Sequence, residues 1–196
     1  MTQPRTPAGT TPGTDARPEL WQPVLLRSAA ALVFGALTIF WAAPSVEVMG
    51  WAGGLYLLAT GVLMLRSVPA TGLPQGAAPG KMLAAAGAVM AGSGFSLVVL
   101  HGDLLFGVVA AVGLGLAGAL ELACGLKLRG SHVLARDWIT SGVVGLGTAA
   151  LLPFFIGLGA HALLGVAGGG AIISGVLWVL SALTLRHDAR SAAGKP

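Results

Sequence analysis

The stretch Leu104–Arg129 reads LLFGVVAAVGLGLAGALELACGLKLR. It is apolar almost throughout, holds one acid, Glu121, and stops at a basic pair, Lys127 and Arg129. About 20 apolar residues, at ~1.5 Å rise each, match the ~30 Å hydrocarbon core of a bilayer. The stretch therefore predicts a membrane-spanning helix whose basic end marks one membrane face. Most of the chain repeats this unit.

Composition agrees. The 196 residues are 55% hydrophobic and only 9% charged, where a soluble domain carries about 25% charged residues. Many of the 31 glycines lie inside apolar runs, as is common where membrane helices pack closely. The net charge is +4, but the basic residues stand singly or in pairs between apolar runs. That pattern excludes a nucleic-acid-binding surface. The lone cysteine, Cys124, cannot form an intrachain disulfide, and is expected as a packing residue near the cytoplasmic face.

Residues 1–23 are rich in Thr, Pro and Gly and are expected to be a disordered cytoplasmic tail. The apolar segment after them starts too late and runs too long for a signal peptide. Six spans follow, at about 24–41, 46–65, 82–100, 104–126, 138–158 and 162–185, and 187–196 form a second cytoplasmic tail. Arg27 falls in the first turn of the first span and is expected to snorkel to the interface. Trp21 and Trp41 flank that span as interfacial anchors. The third span is mostly Ala, Gly and Val. Pro153 is expected to kink the fifth span or mark its frayed end.

With six spans, both tails and the segments 66–81 and 127–137 share one side. All 11 Lys and Arg lie there, at Arg186 where the sixth span ends, or in the first turn of the first span. The opposite links hold Glu47, His101, Asp103 and His161 and no Lys or Arg. The positive-inside rule then predicts cytoplasmic termini, N-in and C-in. Gly61-Val62-Leu63, Gly118-Ala119-Leu120 and Gly175-Val176-Leu177 recur every 57 residues (118 − 61 and 175 − 118). Leu126-Lys127-Leu128-Arg129 and Leu183-Thr184-Leu185-Arg186 keep the same spacing. Each period holds two spans, so the expected fold is all-α: six transmembrane helices in three repeated, parallel hairpins.

Two stretches resemble a known family. One is Arg27-Ser-Ala-Ala-Ala-Leu-Val-Phe-Gly35-Ala-Leu-Thr-Ile-Phe-Trp41 followed by Pro44. The other is Gly118-Ala-Leu-Glu121-Leu-Ala-Cys-Gly-Leu-Lys-Leu-Arg129. Both are similar to the HdeD-like acid-resistance membrane proteins, built from a short two-helix repeat of unknown function used three times. The likeness spans about residues 24–186. Pro44 is not kept at the 57-residue period, where His101 and Leu158 stand instead. The resemblance implies a bacterial inner-membrane location and a link to acid stress. It implies no catalytic residues and no cofactor.

Among residues that could carry chemistry, Glu121 stands out. It lies eight residues before Arg129, roughly 12 Å inward at ~1.5 Å per residue. An acid within a span usually faces a bundle interior or water, and desolvation favours the neutral form of a carboxyl, so it is a candidate proton acceptor. Alternatively it pairs with a neighbour such as Arg66 or Arg129 in the inner interfacial zone. On that structural reading Glu121→Gln would leave abundance and acid survival nearly unchanged. Its period-mates are Met64 and Trp178, so no ring of three acids exists.

His101, Asp103, His161 and Glu47 form an outer group that could sense acid, since histidines gain charge and carboxylates lose it as pH falls. They read equally as polar turn residues, and two histidines in separate links make a poor metal set. Gly50-xxx-Gly54 and Gly165-xxx-Gly169 fit close helix packing, within the bundle or between protomers of a homo-oligomer. Ser141 and Ser174, each beside a Gly, are expected to bond to backbone. Lys127, Arg129 and Arg136 set topology or touch anionic lipid.

The expected function is that of a non-enzymatic inner-membrane protein of the HdeD type, tied to acid or membrane stress resistance. The alternative is a small transporter or proton-conducting protein using Glu121. The lipid bilayer is the partner the sequence requires. No cofactor, metal or small-molecule ligand is indicated.

Overall fold

A computed structural model of the chain describes residues 20–74 and 76–193. Six α-helices carry it: α1 Trp21–Phe40, α2 Val46–Ser67, α3 Ala78–Val99, α4 Asp103–Lys127, α5 Ala135–Phe155 and α6 Ala160–Ala193. All six are long and apolar enough to cross a membrane, so the chain is a multi-pass membrane protein. The expected all-α architecture is the one observed, and no strand occurs among the described residues.

Local sequence sets most boundaries. The Ser45 side chain caps α2 by accepting from the Val48 N–H at 3.2 Å. Glu47 in the first turn and Arg66 in the last complement the helix dipole. Pro79 sits in the first turn of α3, where its missing N–H costs nothing. Pro153 lies two residues before the end of α5, which tightens into a 3-10 turn over Ile156–Leu158. Gly159 at φ 81° then reverses the chain, a backbone state that favours glycine. The frayed-end expectation for Pro153 therefore holds.

Two ends differ from expectation. Leu20–Pro23, expected in the disordered tail, form the start of α1 and the residue before it, and Leu20 is buried in the core. The expected disorder of residues 1–19 lies outside the described residues. At the other end α6 continues past Arg186 to Ala193, through most of the expected polar tail.

Each helix packs on the next, and α6 closes on α1, so the bundle is a ring. The closest pairs are α2 with α3, α4 with α5 and α6 with α1. Small residues explain this. Gly61 lies against the Gly87 carbonyl and the Ala91 backbone, and Gly94 against the Gly54 carbonyl and Leu58. Gly118 and Gly142 face each other's backbones across α4 and α5, and Gly175 meets Leu32 and Ala31 of α1. Without a hydrophobic force between helices in lipid, such close backbone approach is the main source of packing energy. The Ala- and Gly-rich composition of α3 is what lets α2 come so near. The three glycines spaced by 57 residues each sit in one of these close pairs.

One glycine motif does not pack. Gly165 and Gly169 are exposed with open space where a side chain would go. Their neighbour Gly168 makes the contact instead, against Thr38 of α1. Helical phase decides this: the buried stripe of α6 runs through Leu164, Ala167, Gly168 and Ala171. Outward-facing side chains are largely apolar, including Val33, Val112, Leu151 and Leu180, as a lipid-facing surface requires.

The ring has two distinct ends. Arg186 stacks over the Trp21 ring at 5.2 Å, joining the start of α1 to the end of the apolar run of α6. His132, before α5, donates from Nε2 to the Thr71 carbonyl at 2.9 Å, while its Nδ1 accepts from the Leu134 N–H at 3.1 Å. These contacts gather the Lys- and Arg-bearing segments at one end, the basic end. At the other end the His101 ring lies against Gly50.

Glycine positions give a direct test of the packing. Gly61→Val should destabilise the bundle by about 1–3 kcal/mol through overpacking against α3. Gly165→Ala, in open space, should stay within about 0.5 kcal/mol of wild type. Thermal unfolding of the purified protein in detergent separates the two outcomes.

Candidate functional site

Every helix sends a side chain to one small cavity on the bundle axis. It holds about 30 Å³ and is lined by Arg27 and Ala31 from α1, Tyr56 and Thr60 from α2, Met90 from α3, Glu121 from α4, Ser141 from α5, and Ser174 and Trp178 from α6, among others. Glu121 is 3% exposed. It lies six residues before the end of α4, roughly 9 Å inward at ~1.5 Å per residue.

Both Glu121 oxygens have a neighbour, one by charge and one by a hydrogen bond. Arg27 Nη2 stands 2.6 Å from its Oε1. Ser141 Oγ donates to its Oε2 at 2.6 Å. The Arg27 guanidinium also lies over the Trp178 ring, 4.5 Å from its centre. The pair with Oε1 is a close charge contact without an aligned hydrogen bond, since Oε1 has no hydrogen-bond partner. Coulomb attraction in a low-dielectric interior is strong at this range, and the Trp178 face adds a cation–π term. Thr60 Oγ1 is likewise buried without a partner, beside Tyr56, whose ring stacks on Phe34 at 4.4 Å.

A second cavity, of about 20 Å³, lies on the basic-end side of Arg27 and Trp178, between Leu20, Val24, Met64, Thr71 and Trp138. The two cavities share Arg27 and Trp178 as walls. Each has room for about one water molecule. Toward the other end the interior is filled by Met49, Leu97, Phe106, Leu152, Leu163 and Leu164, all at most 2% exposed.

Several expectations change here. Arg27 does not snorkel. It is the seventh residue of α1, its side chain is 12% exposed, and it turns inward. The partner of Glu121 is neither Arg66 nor Arg129 but Arg27. Ser141 bonds to the Glu121 carboxylate rather than to backbone. Met64 and Trp178, each 57 residues from Glu121 in the sequence, are buried and line the second cavity beside Arg27.

The outer group stays dispersed. Glu47 is exposed in the first turn of α2. His101 is exposed, with its ring 6.2 Å from Trp51. Asp103 opens α4, with Oδ1 buried and unpartnered. His161 is exposed near the start of α6. Among the described residues, no three His, Cys, Asp or Glu side chains gather as a metal set. Cys124 is buried, with Sγ 3.7 Å from the Pro79 carbonyl, which fits its expected packing role.

Sequence reading missed Arg27 and Ser141 as partners of Glu121, and Trp178 as the ring beneath Arg27. One signal was available: Arg27 and Ser141 are separated by twice the 57-residue spacing. No family model, curated protein or solved structure matches the chain.

Burial reverses the expected tolerance of Glu121→Gln. Removing the carboxylate leaves Arg27 charged and unpaired inside the bundle, which should cost about 3–5 kcal/mol. Ser141→Ala removes one donor to a charged group and should cost about 1.5–3 kcal/mol. Replacing both Arg27 and Glu121 by Met should recover most of the loss. Unfolding midpoints in detergent report all three.

Proposed function

We propose that this chain is a non-enzymatic membrane protein of the HdeD type, located in the bacterial cytoplasmic membrane and tied to acid or membrane stress resistance. The observation that carries this reading is the engagement of Glu121 by Arg27 and Ser141 in a bundle whose axial cavities are water-sized. Such an interior favours a fixed body over a hydrated pathway. The family resemblance of residues 24–186 supplies the link to acid stress. The role would be to reinforce the membrane or to hold a partner there.

The second reading, a proton-conducting protein using Glu121, draws on one specific observation. Glu121 lines the axial cavity, and the second cavity extends from Arg27 toward the basic end. Against it stands the filled interior beyond, from Met49 to Leu164. A proton reaching Glu121 from the basic end would next meet Thr38 and Thr148, whose hydroxyls donate to carbonyls of their own helices.

Proton flux into liposomes holding the purified protein decides between them. A drop in external pH should give no flux above empty liposomes. Flux that disappears when Arg27 and Glu121 are both replaced by Met would establish conduction instead.

Both termini are proposed to be cytoplasmic. Support comes from the charge asymmetry together with the Trp21–Arg186 and Thr71–His132 contacts, which place the basic segments at one end. In a Cys124→Ala background, an impermeant thiol reagent added to whole cells should label Cys substituted at Asp103 or His161. It should miss Cys substituted at Gly130. Labelling at Gly130 would overturn this orientation.

A further inference from the structure

Helices α5 and α6 meet closely where Gly170 lies against Thr148. Toward the basic end a groove of about 360 Å³ opens between them, lined by Arg136, Asp137 and Thr140 on one side and Leu177, Leu180 and Ser181 on the other. Arg136 and Asp137 are in the first turn of α5. Ser181 precedes Arg186, where the apolar run of α6 stops. The groove therefore lies where acyl chains give way to headgroups.

We propose that this groove binds one phospholipid carrying a phosphoethanolamine headgroup. The charges set the choice. The Thr140 hydroxyl donates to the Arg136 and Asp137 carbonyls at 3.1 and 3.0 Å, and Thr184 to the Leu180 carbonyl at 3.0 Å. Their donors are spent within their own helices, so Arg136 and Asp137 are left to read the headgroup. Arg136 is exposed and makes no ion pair among the described residues, and its guanidinium suits a phosphate. Asp137 is held by Ser181, whose Oγ donates to Oδ2 at 2.6 Å, and its Oδ1 can accept from a primary ammonium. Neighbouring opposite charges match a zwitterion. A purely anionic headgroup would meet the Asp137 carboxylate unfavourably, and a quaternary ammonium has no N–H to donate. Leu177 and Leu180, both exposed, continue the groove into the apolar zone, where an acyl chain would lie.

The full chain in detergent can be titrated with dioleoyl lipids bearing phosphoethanolamine, phosphocholine or phosphoglycerol headgroups, and bound lipid counted by native mass spectrometry. Phosphoethanolamine lipid should be retained about tenfold better than phosphocholine lipid, the equivalent of one charge-assisted hydrogen bond. Asp137→Asn should abolish that preference, and Arg136→Gln should weaken retention of all three lipids. Ser181→Ala keeps the carboxylate and should keep the preference, separating headgroup reading from helix packing. Equal retention of the three lipids by wild type, a preference for phosphoglycerol, or an Asp137→Asn variant that still selects phosphoethanolamine would each overturn the proposal. So would a groove closed by a second copy of the chain, seen as a dimer that excludes lipid.

Discussion

A buried carboxylate must find its counter-charge inside the same apolar bundle, and that requirement fixes how these helices sit around one axis. Glu121 on α4 meets Arg27 on α1 and Ser141 on α5, with Trp178 of α6 under the guanidinium. Four of six helices thus share one polar contact. Transfer of either charge alone from water into this interior would cost several kcal/mol. Their attraction offsets that cost only while the helices hold their register and rotation. Sliding or rotating one helix would expose an unpaired charge to lipid or to apolar side chains. The pair therefore acts less as a source of net stability than as a constraint selecting one arrangement among similar apolar packings.

Glycine and alanine make that arrangement reachable. The guanidinium and the carboxylate can meet only if α1, α4 and α5 come near the axis. Close approach of α4 to α5 at Gly118 and Gly142, and of α6 to α1 at Gly35, Gly168 and Gly175, brings them there. The two remaining helices, α2 and α3, are drawn together in the same way at Gly61, Gly87 and Gly94. What stays open inside is small, about 30 and 20 Å³. A larger groove opens sideways to lipid between α5 and α6.

The fold was legible because its determinants are one-dimensional. Apolar runs long enough to span the bilayer, bounded by Arg66, Lys127 and Arg186, place the helices without knowledge of their neighbours. Even α3 is visible as an apolar run, although its Ala and Gly content has a reason only beside α2. The site was legible by half. Glu121 declares itself because an acid inside an apolar run needs an explanation. Arg27 does not, because six residues from the start of a helix the same side chain can reach the interface or turn into the core. Only helix rotation decides, and rotation is set by packing with α6. The same limit explains Gly165 and Gly169, which share the spacing of a packing motif but lie on the lipid-facing side. Ser141 was misread for a related reason: a serine beside a glycine usually finds its own backbone, unless another helix offers a carboxylate.

The ion pair with Arg27 requires Glu121 to carry its charge in the folded protein. Infrared difference spectra between wild type and the variant with Met at both positions 27 and 121 would isolate its absorption in the folded protein. At neutral pH wild type should show an ionised carboxylate band that is lost in the double variant. A protonated carbonyl band at Glu121 under the same conditions would contradict the ion pair with Arg27.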